Sequence, residues 1–211
     1  MRVLSLLVLG WSSMGWAQPA GAWRLDVAKS ELVVKVWKTG AAAALAHDHV
    51  VRATKFSGEV SLDEAGAPES LALAVSVEVA SLVPDEPETR KKYFIVGPPV
   101  PPADQLKVKE HLLGDEQLDA AKFKAISFKS DGVYREAGGG LQCRGQLTLH
   151  GVTREVRFPL TVKAGVGVVE GDASVRLKTS DFGVAPFSTA LGLIRNKDEV
   201  ELVLHLVAVR P

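Results

Sequence analysis

Cysteine is nearly missing from this 211-residue chain: Cys143 stands alone. A single thiol cannot close an intramolecular disulfide, so stability has to come from a packed core. Cys143 lies between Gln142 and Arg144 with no evident partner for thiol chemistry, and it reads as a small hydrophobe on a strand. Excess charge is absent as well. Twenty-five Lys and Arg balance 25 Asp and Glu, which disfavours nucleic acid or an anionic membrane surface as the main partner. No segment after the N-terminus approaches the about 18 uninterrupted apolar residues of a spanning helix. The chain also lacks a repeat of fixed period, a Gly-x-Ser-x-Gly elbow and a phosphate-cradling Gly loop ahead of a helix.

What is present begins with a charged start, Met1-Arg2, a short apolar run to Leu9, and small residues leading to Gly15-Trp16-Ala17. That pattern predicts a signal peptide over residues 1–17, cleaved near Ala17, and a periplasmic or secreted mature protein. Residues 22–211 then form one domain large enough for a sizeable core.

Most of this domain alternates apolar and polar residues with the period of a half-buried strand. The clearest example is Gly145-Gln146-Leu147-Thr148-Leu149-His150-Gly151-Val152, which continues through Val156, Phe158 and Leu160. It reads as an antiparallel hairpin, with Gly151 supplying the positive φ of a type II′ turn through Gly151-Val152. Strands are predicted over 31–37, 56–62, 71–79, 125–135, 141–149, 166–177 and 199–209, with roughly eight to ten in all. Residues 84–123 break the pattern. Their prolines forbid continuous sheet or helix until a helix over 105–113, capped by Asp104, and a second from Asp115. A segment of that length is expected to cross one end of a sheet. The fold class is therefore all-β: a sandwich or barrel with two short helices.

Few residues suggest chemistry. His47 and His49, spaced to share one face of a strand with Asp48 opposite, could hold Zn, Cu or Ni if a third ligand such as His111 or His150 arrived. The alternative is a polar cluster contacting loops or a ligand head group. His150 reads as a turn residue, and His205 as a satisfied or edge histidine. The paired carboxylates Asp63-Glu64 and Asp85-Glu86 look solvated. No enzyme activity is expected.

Taken in order, several pieces resemble the YceI-like family of bacterial exported proteins. They are Trp23-x-x-Asp26-x-x-x-Ser30, Phe56-Ser57-Gly58, Glu110-His111-Leu112 with Asp119 and Phe123, Ile126-Ser127-Phe128-x-Ser130, the Gly145–Arg154 run and Asp181-Phe182-Gly183. Two departures stand out: a Pro-rich insertion over 84–102, and Lys29 where many relatives carry a first-strand His. The resemblance implies an extended, lipocalin-like antiparallel barrel of about eight strands holding a polyisoprenoid or similar amphipathic lipid for storage or transport. It implies no other cofactor, and a monomer or homodimer. A barrel of about eight strands is wide enough for side chains or for one slender ligand. If the interior is hollow, alternation nominates Val34 and Val36, then Leu73, Val75 and Val77, then Phe128, Leu147, Leu149, Phe158 and Val175 as its lining. Alternation alone leaves open whether they line a tunnel or fill a core. The rival function is a periplasmic metal-binding or stress-response module using His47 and His49.

Overall fold

A computed structural model describes residues 22–93 and 95–210. The expected signal peptide lies outside the described residues. Eight antiparallel strands close into a ring: β1 (Trp23–Leu25), β4 (Phe56–Ser61), β5 (Ala72–Glu78), β7 (Ala125–Arg135), β8 (Leu141–Leu149), β9 (Val152–Gly165), β10 (Val168–Lys178) and β12 (Ile194–Val209). Pairing of β1 with β12 closes it. The same edge of β12 continues onto β2 (Glu31–Thr39), which is followed in the sheet by β3 (His49–Ala53) and β6 (Leu82–Pro84). A two-residue strand, β11 (Ser188–Thr189), pairs with the start of β12. The all-β reading holds, and closure removes the open edges that exposed strands would present.

The break between β1 and β2 shows why the Asp26-to-Ser30 spacing matters. There the ladder to β12 is interrupted, and one backbone and one side-chain hydrogen bond repair it. Asp26 N–H donates to the Val207 carbonyl at 2.8 Å, and Val207 N–H donates to Ser30 Oγ at 2.8 Å. Backbone groups that lose their strand partner are thus still satisfied.

The β8–β9 hairpin is present, but its turn is His150-Gly151, one residue earlier than expected. Both residues have positive φ, 51° and 75°, so the turn is type I′ and not II′. His tolerates the left-handed region better than most residues, and its ring packs on Phe123 at 4.5 Å between centroids. Gly151 is required twice over, since a Cβ there would lie 2.5 Å from the Phe123 ring.

Prolines in the insertion start helices instead of preventing them. Both α1 (Pro87–Lys92) and α2 (Pro102–Leu113) open on proline, where the missing N–H has no helical partner to lose. The expected second helix from Asp115 is replaced by turns, with Gln117 and Asp119 N–H donating to the Gly114 carbonyl. Strand β6 ends the sheet on its side and does not pair with β7. The crossing segment covers that end of the barrel, and α2 packs against β6.

Inside the barrel, the half away from this crossing segment is solid. Phe128 on β7 and Phe158 on β9 reach toward each other, with ring centroids 5.5 Å apart. The strand between them, β8, places Gly145 on the same face as Cys143 and Leu147, the register partners of Phe158 and Phe128. A Cβ at 145 would stand 2.6 Å from the Phe128 ring and 2.4 Å from the Lys129 carbonyl. Gly145→Ala is therefore expected to destabilise the fold by about 1–3 kcal/mol through overpacking. Chemical denaturation checks this; an unchanged midpoint would contradict it.

Candidate functional site

The other half of the barrel is hollow. A cavity of about 160 Å³ lies among side chains that include Val34, Val36, Val51, Leu82, Leu147, Leu149, Leu177, Val200 and Leu202 from the strands. The crossing segment closes it with Leu112 and Leu118. Almost every group facing the space is apolar; Gln117, Thr179, Asn196 and Lys197 supply the exceptions. A cavity of this character stays dry, because water would find too few partners there; an engineered void of about 150 Å³ behaves so and admits benzene.

Four of the ten residues nominated by alternation stand in this wall: Val34, Val36, Leu147 and Leu149. The other six share the inward face but belong to the packed interior. Val75, Val77, Phe158 and Val175 are buried core, and Leu73 and Phe128 pack against it. Sequence reasoning missed, among others, Val51, Leu82, Leu112, Leu118, Leu177, Val200 and Leu202; Leu112 and Leu118 come from the irregular segment, where no periodicity marks a face.

A second chamber of about 90 Å³ adjoins the cavity. The two share Val36, Val51, Leu112, Gln117, Phe187 and Asn196 as walls. His49, His111 and Val108 complete the smaller one, and the His111 ring lies 5.3 Å from that of Phe187. His47 precedes β3 and does not join His49 on a strand face, so the expected geometry of that pair is corrected. Among the described residues, no three His, Cys, Asp or Glu side chains are grouped to hold a metal ion. His205 pairs instead with Asp172 on the outer surface, Nδ1 to Oδ1 at 2.8 Å.

Behind His49 lies the feature the sequence concealed most completely. Asp85, expected to be solvated, is fully buried. It follows β6, and its N–H donates to the Val50 carbonyl at 2.7 Å. Its Oδ2 is 2.6 Å from His49 Nδ1, while Oδ1 accepts from Arg90 Nη1 at 2.7 Å and from Val50 N–H at 3.2 Å. Burial pushes the Asp85 carboxyl up, but His49, Arg90 and the Val50 N–H together outweigh it and hold the pKa below the ordinary carboxylate value. Arg90 Nη1 also donates to the Asp48 carbonyl at 2.7 Å. Beside this cluster, Arg52 grips Glu86 through two hydrogen bonds, Nε at 2.5 Å and Nη2 at 2.8 Å. The insertion over 84–102 is thus clamped to β3 by its first residues.

Cys143 is fully buried, and its thiol is pushed up to about 11, first by burial and then by the charge of Asp131. It is a packing residue, inert at neutral pH. No helix among the described residues is long and apolar enough to cross a membrane.

Comparison with known proteins places this geometry. A family model described as the YceI-like domain matches residues 23–208. A UPF0312 protein of Vibrio cholerae (strain M66-2) is 30% identical over 165 residues, covering 75% of this chain and 73% of its own. A UPF0312 protein of Shewanella sp. (strain W3-18-1) is 29% identical over 172 residues, covering 79% and 78%. Among solved structures, Burkholderia cenocepacia BcnA superposes with a TM-score of 0.63 at 22% identity, over 88% of this chain and 99% of that one. A polyisoprenoid binding domain from Saccharophagus degradans, implicated in plant cell wall breakdown, gives 0.57 at 14% identity, over 90% and 98%. With the motif order, the closed barrel and the extent of these matches in agreement, the chain belongs to the YceI-like family.

Proposed function

We propose that this protein binds an amphipathic lipid of isoprenoid type, its tail in the barrel cavity, and stores or carries that lipid through an aqueous compartment. The observation carrying this reading is the dry, apolar cavity of about 160 Å³ next to a chamber with polar side chains. Each CH₂ moved from water into such a space contributes about 0.8 kcal/mol. A few carbons fit the cavity as it stands. A longer tail needs Leu112 and Leu118 to move outward, and they sit on the crossing segment, beside the unpaired edge of β6. The Saccharophagus neighbour, described as a polyisoprenoid binding domain, supports the choice of ligand class. The charged start and apolar run of residues 1–17 support export.

The test is to purify the protein from its native export compartment, extract it with organic solvent and identify the extract by mass spectrometry. A stoichiometric isoprenoid or related lipid is expected. Protein repeatedly free of lipid, and unable to take up isoprenoid alcohols or quinones, would overturn the proposal.

A further inference from the structure

The hydrogen between His49 and Asp85 has a determined owner. Asp85 accepts from a guanidinium and a backbone N–H on one oxygen, and its other oxygen faces His49 Nδ1 at 2.6 Å. A carboxylate so held is an acceptor only, so Nδ1 is the donor. In the neutral ring this leaves Nε2 as a bare acceptor. The ring points into the barrel: its register partner Val36 and its strand neighbour Val51 both line the cavity, and His49 itself lines the chamber.

Size and charge narrow what the chamber can hold. Its volume of about 90 Å³ is little more than half that of the adjoining cavity, about 160 Å³, which suits a compact head group. No Lys or Arg stands in its wall, so a phosphate or diphosphate would be buried there without a cation opposite. Asn196 offers a side-chain amide on the same wall, whereas the Gln117 amide is held by the Glu116 and Ala185 carbonyls at 3.0 Å each.

We propose that this chamber is a head-group site selecting a small, uncharged hydrogen-bond donor, namely a primary alcohol whose O–H donates to His49 Nε2 while its hydrocarbon tail enters the adjoining cavity. The proposal rests on the lipid-binding reading above and adds the head-group class. The alcohol oxygen can in turn accept from the amide of Asn196. An ether or aldehyde on the same tail brings no donor, and by displacing water from the chamber it leaves Nε2 without a partner. The role of Asp85 and Arg90 is positional: they fix the tautomer without touching the ligand.

The experiment compares geraniol with geranyl methyl ether by calorimetric titration at about pH 8, where imidazole is ordinarily neutral. Wild-type protein is expected to prefer the alcohol by about tenfold or more. In His49→Leu the ratio should collapse toward one. Equal affinities in the wild type would overturn the head-group proposal and leave lipid binding standing; failure to bind either compound would remove lipid binding itself. Should His49→Leu not fold, ¹⁵N NMR of the wild-type imidazole decides. Nε2 is expected to carry no proton in the free protein and to shift with geraniol but not with the ether. A protonated Nε2, or a resonance that geraniol leaves unmoved, would overturn the assignment.

Discussion

Asp85→Asn is expected to lower folding stability by about 3–5 kcal/mol, the usual consequence of removing one partner from a buried ion pair. Against a typical total of about 5–15 kcal/mol, that is enough to leave part of the protein unfolded at moderate temperature. The substitution keeps size and tolerance of the left-handed conformation, which matters because Asp85 has φ of 56°. It removes the charge, and it turns an amide NH₂ toward a site where His49 Nδ1, Arg90 Nη1 and Val50 N–H all donate. Arg90, only 5% exposed, would lose its counter-charge. A double variant, Asp85→Asn with Arg90→Leu, should recover part of the loss by removing the stranded cation. Urea denaturation of the three proteins measures this; a near-neutral single variant would contradict it.

The same carboxylate sets an acid dependence. Its folded pKa is lowered relative to the unfolded chain. Its stabilising contribution is therefore fully present above the unfolded value of about 3.9 and is lost as pH falls through the lower, folded one.

The second large effect is on ligand binding. Val36 lines both the cavity and the chamber, so Val36→Trp should fill the passage between them with an indole. Excluding four or five methylene groups at about 0.8 kcal/mol each predicts a loss of tail affinity of about 10²-fold or more. Folding should persist, since the added ring occupies space that is empty. Phe158→Ala gives the contrast. It belongs to the solid half of the barrel, so it should cost about 3–5 kcal/mol of stability while the folded fraction still binds the tail. Titration with geraniol, alongside thermal melts, separates the two. Retained affinity in Val36→Trp would place the tail elsewhere.

How far the sequence could be read follows from what period-two patterns contain. Alternation assigns a face, and all ten nominated residues do point inward. It carries nothing about depth along the barrel axis, so it could not separate Leu149, in the cavity wall, from Phe158, in the core. Phe128 and Phe158 meet in one half, while the cavity lies mainly among Val and Leu side chains of the other. The turn at His150-Gly151 was misplaced by one residue because glycine is the obvious bearer of positive φ, whereas a histidine packed on Phe123 carries it too. Asp85 was invisible for a different reason. Acidic residues amid prolines look solvated, and the partner that most changes its chemistry, His49, is 36 positions away. The pairing of β3 with β6 brings the two together.

The most direct measurement locates the tail itself. Crystals of the protein with a ten-carbon isoprenoid alcohol brominated at its far end, recorded at the bromine absorption edge, should give one anomalous peak inside the barrel, among Val34, Leu147, Leu149 and Leu202. A peak on the outer surface of the barrel, or an interior closed by side chains with no bromine in it, would contradict a hollow, tail-holding barrel.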